Sequence, residues 1–408
     1  MPAFPPVDEQ LAIIKARTEE IIPEAELRAK LERSRATGTP LRVKQGFDPT
    51  APDIHLGHTV GLSKCREFQD LGHQIVLIVG DYTAQVGDPS GVTQTRRRLS
   101  EAEVRAHAQT YLEQYGKIVD LSSAEVRWNG EWFAKMSFQE VMELASRFTV
   151  RQVLEREDFE ARYRAGKPIS IHEIFYILMQ AWDSVQVRAD VELGATEQKF
   201  NFLAARDLQK QMGQEAQVAI TVPVLVGTDG TRRMSKSTGN YVGVAEPPAE
   251  QFGKVMSIPD AALAQWFGLV SGLSVAEQAR WLAPGVNPRD AKEALGKRIV
   301  ARFHGDAAAD AAASAFRRQF SAGELPADIP DHALPGPPGT IVDLIVATGC
   351  APTKSEARRL VEQGGVAIIR DGATERVNEI TAPVAPRDGD ILKVGKRRYV
   401  RLRLGGDS

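Results

Sequence analysis

Gly46-Phe47-Asp48-Pro49-Thr50-Ala51-Pro52-Asp53-Ile54-His55-Leu56-Gly57-His58-Thr59 is the stretch on which the fold turns. Proline fixes φ and biases the residue before it away from the helical region, so Asp48-Pro49-Thr50 and Ala51-Pro52-Asp53 read as turns. Asp53 is placed to cap a helix, because Val60, Leu62, Cys65, Phe68 and Leu71 follow at roughly helical spacing. His55 and His58 then lie three apart on one face of its first turn. Gly57 between them leaves the backbone open to a ligand. Two imidazoles and a threonine hydroxyl at the positive end of a helix suit an anion, and a phosphate better than a metal. Taken alone, the pattern also fits two surface histidines at a helix start.

Working outward, residues 41–47 read as a strand leading into this stretch. Ile75-Val76-Leu77-Ile78-Val79, ending in Gly80, is a continuous apolar run of the kind buried on both faces of a parallel sheet. Strand, turn, helix and strand make one βαβ unit. The expected fold class is therefore α/β, with a doubly wound, Rossmann-like parallel sheet. Such sheets bind ligands at the carboxyl ends of their strands, here Gly46-Phe47-Asp48 and Gly80-Asp81. Upstream, residues 8–22 and 24–37 read as two charged helices broken at Pro23, wrapping the domain more than forming its core.

Downstream, Gly87-Asp88-Pro89-Ser90-Gly91 is an acidic turn, and Arg96-Arg97-Arg98 is either a solvated charge run or a phosphate clamp. Residues 100–116 and 137–146 read as helices. Ile171 to Trp182 is an apolar helix that carries Tyr176, Gln180 and Asp183 on one face. These are either a polar cluster satisfied by backbone or the lining of a small-molecule pocket. Residues 187–193 read as a short strand with charges at alternate positions, running into Gly194-Ala195-Thr196-Glu197-Gln198. A further strand, 219–226, delivers a glycine-punctuated loop from Gly227 to Asn240. In it, Arg233, Ser235, Lys236 and Ser237 bring cations and hydroxyls suited to charge that develops in a transition state.

The 408 residues give a prior of two to three domains, at 43% hydrophobic and 25% charged. A net charge of −2 argues against a protein that coats nucleic acid generally, though not against a local basic patch. Cys65 and Cys350 are too far apart in sequence to suggest a disulfide framework or a cysteine-based metal site. No apolar run approaches membrane-spanning length, so a cytoplasmic location is expected, with no membrane and no DNA partner. The expected organisation is N-terminal helices at 1–40, the sheet domain at 41–247, a helical domain at 248–321, a linker at 322–340 with five prolines, and a last module at 341–408. That module holds twelve Lys/Arg against nine Asp/Glu and has its own apolar residues, which suggests an RNA contact.

His55-Leu56-Gly57-His58 after the first strand and Arg233-Met234-Ser235-Lys236-Ser237 after a late strand resemble the two signature motifs of class I aminoacyl-tRNA synthetases. Gly46 to Thr50, Gly87 to Gly91, Gln180-Ala181-Trp182-Asp183 and the terminal module narrow the resemblance to the bacterial tyrosyl-tRNA synthetases. The resemblance implies a Rossmann-like catalytic domain, a helical domain on the tRNA anticodon side and a small α+β RNA-binding domain. It implies activation of L-tyrosine by ATP and transfer to tRNA(Tyr), with Mg2+ accompanying ATP, no tightly bound cofactor and a homodimer. Thr50, His55, His58, Arg233 and Lys236 would act on the phosphates, and Asp48, Gly57, Arg96, Gly194, Glu197, Ser235 and Ser237 would complete the ATP site. Asp88, Tyr176, Gln180, Asp183, Gln198 and Lys44 would hold tyrosine, with Asp183 accepting from the substrate hydroxyl. Lys354, Arg358, Arg359, Arg397 and Arg398 would meet RNA.

Three departures stand out. Lys44 occupies a position where the family often has Tyr. Ala195 and Glu197 replace a more usual Gly and Asp, and Arg233 replaces the first signature lysine. A tryptophanyl enzyme would lack the hydroxyl-reading Asp and the RNA module. A non-catalytic RNA-binding paralogue would show damage at His55, His58 or Lys236.

Overall fold

The structure, a computed structural model, describes residues 4–87, 100–321, 329–334, 339–370, 373–395 and 398–404. Two compact units divide the chain, Met1–Ser314 and Ala315–Ser408.

The first unit is built on a six-stranded sheet: β1 (Glu20–Ile22), β2 (Arg42–Phe47), β3 (Gln74–Val79), β4 (Glu125–Trp128), β5 (Val191–Ala195) and β6 (Val218–Val222). Spatial order is β1-β6-β5-β2-β3-β4. Five strands are parallel and β1 pairs antiparallel with β6 at one edge. The order reverses between β2 and β5, so their carboxyl ends flank the switch point where a doubly wound sheet opens a crevice. β3 is the buried run expected from its composition. Its Ile75 and Leu77 enter the main core, while Val76 and Ile78 pack on Val187 and Ala189 across the other face.

Several local expectations are revised. The first helix stops at Lys15 instead of running to residue 22. Arg17 takes a left-handed φ of 59°, and buried Lys64 donates to the carbonyls of Ile14 and Ala16, placing a cation at the helix's negative end. The freed residues pair as β1. β4 has no signal in the sequence, because Glu-Val-Arg-Trp holds too few apolar residues to show a strand period. β5 begins at Val191, not 187, because Arg188 turns the chain at φ 48°. The helices of 1–40 supply core residues Leu11, Ile14, Leu27 and Leu31.

The helical segment is not a domain with its own core. Val255, Trp266, Phe267, Leu295 and Ile299 belong to the same apolar cluster as Val43, Leu62 and Ile220. A second cluster, with Ile177, Leu178, Phe159 and Leu208, packs the Ile171–Gln186 helix onto the other side.

The second unit is a five-stranded sheet ordered β7-β11-β10-β8-β9, from β7 (Asp331–Leu334), β8 (Val366–Arg370), β9 (Ala373–Arg376), β10 (Ile391–Val394) and β11 (Arg398–Leu404). Helices Ile341–Ala347 and Lys354–Glu362 cover it through Leu344, Ile345, Ala357 and Val361. The stretch expected to be a linker, 322–340, contains an edge strand, which pairs parallel with β11.

Candidate active site

A cavity of about 580 Å³ opens at the carboxyl ends of β2, β3, β5 and β6. The opening stretch forms one wall. The helix that follows starts at Leu56, and its N-cap is His55, two residues later than Asp53. The cap is made by the two histidines themselves. Gly57 N–H donates to His55 Nδ1 at 3.2 Å, and His55 N–H donates to His58 Nδ1 at 3.2 Å. With both Nδ1 atoms accepting, the ring proton of each must sit on Nε2. Burial, each other's proximity and Lys236 push His55 down to about 2, while burial and Lys236 push His58 down to about 4. At neutral pH the site therefore presents two uncharged N–H donors, ring centroids 3.9 Å apart. A Cβ on Gly57 would lie 3.0 Å from the His55 ring, so glycine there protects its orientation.

Asp48 and Thr50 follow β2 and also line the cavity. Asp48 accepts from Thr83 Oγ1 at 2.7 Å and from Tyr176 OH at 3.0 Å. Gly80 permits this close packing: a Cβ there would come within 2.0 Å of Asp48 Oδ1. The other wall is the Ile171–Gln186 helix, which contributes Tyr176, Gln180 and Asp183 from one face. Asp183 is buried and accepts from Trp132 Nε1 at 2.9 Å and Asn129 Nδ2 at 3.3 Å. Burial, only partly offset by Lys44 and these two donors, raises its carboxyl to about 7.

β5 brings Gly194, Glu197 and Gln198 to the rim, and the loop after β6 brings Arg233, Ser235, Lys236 and Ser237. Arg233 pairs with Glu197 at 2.6 Å, and Lys236 Nζ donates to the Asp53 carbonyl. Burial lowers the Lys236 ammonium from its usual value. Lys44 lies at the cavity floor, but its Nζ is committed to Gln180 O at 3.0 Å, Ser184 Oγ at 2.7 Å and Glu192 Oε1 at 2.8 Å. Those three bonds use all three N–H of the ammonium, so Lys44 has no donor for a ligand hydroxyl. Lys44 thus lines the cavity as expected, with its ammonium bonded to protein groups.

Every expected residue of the catalytic domain that is described thus borders one cavity. Asp88 and Arg96 lie outside the described residues, as does Arg397 in the second unit. There Lys354, Arg358 and Arg359 are exposed along one helix, and Lys354 also pairs with Asp343 at 2.8 Å. Arg398 is exposed and donates to the Cys350 carbonyl. The sequence reading missed Asn129, Trp132, Glu192 and Asn201. Glu192 alone left a signal, a charge at an inward position of a short apolar strand. Among the described residues no group of three or more His, Cys, Asp or Glu converges as a metal site.

An α/β crevice lined by paired imidazoles, a cationic loop and buried polar side chains is suited to bind a nucleotide phosphate beside a small polar substrate. A family model described as tRNA synthetases class I (W and Y) matches residues 36–321. A tyrosine–tRNA ligase of Moorella thermoacetica is 50% identical over 400 residues, 97% of this chain and 96% of that protein. One from Symbiobacterium thermophilum is 50% identical over 408 residues, 98% and 99% of the two chains. A solved tyrosyl-tRNA synthetase complexed with L-tyrosine from Archaeoglobus fulgidus, 24% identical, shares the fold with a TM-score of 0.62 over 76% of this chain and all of that one. The chain belongs to the class I tRNA synthetases and, within them, to the tyrosine–tRNA ligases.

Proposed function

We propose that this protein activates L-tyrosine with ATP, forming tyrosyl-adenylate and pyrophosphate, and transfers the tyrosyl group to tRNA(Tyr). The observation that carries this is the convergence of the Nε2–H donors of His55 and His58, the Arg233–Ser237 loop and buried Asp183 on one cavity. The tyrosine carboxylate attacks the α-phosphate and pyrophosphate leaves. No covalent enzyme intermediate is required, so catalysis is positioning plus stabilisation of developing charge.

In this scheme His55 and His58 donate to phosphate oxygens, with Thr50 beside them. Arg233 and Lys236 close on the leaving group after exchanging Glu197 and the Asp53 carbonyl for phosphate oxygens. Glu197, released, faces the ribose. Asp183 accepts from the substrate hydroxyl, and Tyr176 and Gln180 meet the substrate ammonium. Such a site rejects phenylalanine because the buried Asp183 carboxyl would lose the bond that the substrate hydroxyl supplies. Mg2+ arrives on the ATP phosphates, consistent with its habit of binding through substrate phosphates and water.

The helices of 248–321 contact tRNA in the first unit, and the basic helix Lys354–Glu362 contacts RNA in the second. Exposed Phe138, Met142, Val150 and Ile171 lie on helices that pack around the second apolar cluster, and they supply the contact of a homodimer. The location is the cytoplasm; among the described residues no helix is long and apolar enough to cross a membrane. Charging of bacterial tRNA with labelled tyrosine tests the proposal. Tyrosine-specific esterification of the tRNA 3′ end is expected, and its absence with intact, folded protein would defeat it.

A further inference from the structure

The cavity floor carries a charge pair that the scheme above does not use. Lys44 and Glu192 are each 1% exposed, and they sit in register on the adjacent parallel strands β2 and β5. Buried pairs add little net stability once desolvation is counted, so orientation is the more valuable thing this one can supply. Glu192 is the hub. Its Oε1 accepts from Lys44 Nζ at 2.8 Å and Gln180 Nε2 at 3.2 Å, and its Oε2 accepts from Ser184 Oγ at 3.1 Å and from Gln217 Nε2.

A carboxylate accepts these bonds, so the Gln180 amide meets it through Nε2 and not through oxygen. The amide is planar, and that choice turns Gln180 Oε1 to the opposite side. Asn201 Nδ2 donates to this oxygen at 2.7 Å and to Gln198 Oε1 at 2.9 Å. A carbonyl oxygen has two lone pairs, and Asn201 engages one. The second is the acceptor that a substrate ammonium requires, on a side chain that lines the cavity.

We propose that Glu192 is a positioning residue for amino-acid recognition, fixing the Gln180 amide with its oxygen toward the substrate ammonium, and that Lys44 acts by holding Glu192 in place. The inference rests on the proposed tyrosine-activating role of the same cavity. A glutamine at 192 could face Gln180 with either end of its amide, and the orientation would be lost.

The test is Glu192→Gln in the full chain, assayed by tyrosine-dependent ATP–pyrophosphate exchange and by competition with 3-(4-hydroxyphenyl)propionate, which is tyrosine without its ammonium. The tyrosine KM is expected to rise roughly 10- to 100-fold, the scale of a hydrogen bond to a charged group. The kcat and the ATP KM stay within about threefold, since nothing specific to the transition state is removed. Binding of the des-amino analogue is unchanged. Lys44→Met/Glu192→Gln leaves no unpaired buried charge and should show the same selective loss, guarding against misfolding. Equal weakening of tyrosine and the analogue, or no weakening of either, would overturn the inference. If the parent chain shows no tyrosine-dependent exchange, the functional reading fails instead. If the parent is active and the variants match it, only the role of Glu192 fails.

Discussion

Replacing His55 separates two jobs that one ring performs. Nδ1 caps the helix by accepting from Gly57 N–H at 3.2 Å, and in the proposed scheme Nε2–H donates to a phosphate oxygen. His55→Ala removes both. Loss of a helix cap costs about 1 kcal/mol of stability. Loss of one preorganised donor costs about 3 kcal/mol of transition-state stabilisation, which is roughly a 100-fold fall in the rate of adenylate formation. His55→Asn keeps an oxygen of the type preferred at an N-cap but not the reach of the imidazole. The alanine variant should therefore unfold more readily than the parent, while the asparagine variant unfolds like it, and both should be slow. Single-turnover formation of tyrosyl-adenylate measures the rate, equilibrium binding measures tyrosine affinity, and urea unfolding measures stability. Tyrosine affinity should hardly change, because Tyr176, Gln180 and Asp183 come from a different element. A loss of tyrosine affinity as large as the loss of rate would refute the phosphate assignment. An asparagine variant as unstable as the alanine one would refute the cap.

Other consequences follow from the same geometry. Asp183 is raised to about 7, so its carboxyl is largely protonated at pH 6 and ionised at pH 8. The ionised form is the better acceptor for a phenol, and the tyrosine KM should fall as pH rises through about 7; a flat profile, or one that persists in Asp183→Asn, would contradict its role. His55 and His58 stay neutral down to about 2 and 4, so neither should add a titration to kcat between pH 6 and pH 8. Gly80→Ala would bring a Cβ within 2.0 Å of Asp48 Oδ1 and 2.3 Å of Thr83 Oγ1. It should destabilise the protein by about 1–3 kcal/mol and weaken tyrosine binding, and wild-type melting would show that the packing is looser than described. Removing residues 322–408 should spare adenylate formation and impair tRNA charging. The cut falls before β7, since that strand pairs with β11. Unimpaired charging would remove the RNA role from the second unit.

Much of the site was legible because it lies where local rules are strong. A β-branched run between glycines announces β3, and prolines around Asp48 and Asp53 force the turn that delivers His55 and His58. The polar face of the Ile171–Gln186 helix could be counted off at spacings of four and three. What escaped depends on partners remote in sequence. Nothing local to Lys44 reveals that Glu192, 148 positions away, pairs with its ammonium. Asn129 and Trp132 follow an edge strand too short to show a period, yet they hold Asp183. The helices after residue 248 read as a separate domain because helical periodicity does not say which core a face enters; Trp266 and Phe267 enter the core shared with the sheet. Arg17 and Arg188 adopt left-handed turns that a sequence without glycine there does not advertise.

In the proposed reading this cavity joins tyrosine, and no other amino acid, to AMP. Amino-acid-dependent ATP–pyrophosphate exchange, run on the full chain with each of the twenty amino acids in turn, tests it most directly. Exchange with tyrosine alone is the predicted result. Exchange with tryptophan in its place, or with none of the twenty, would show that the cavity is not a tyrosine-activating site.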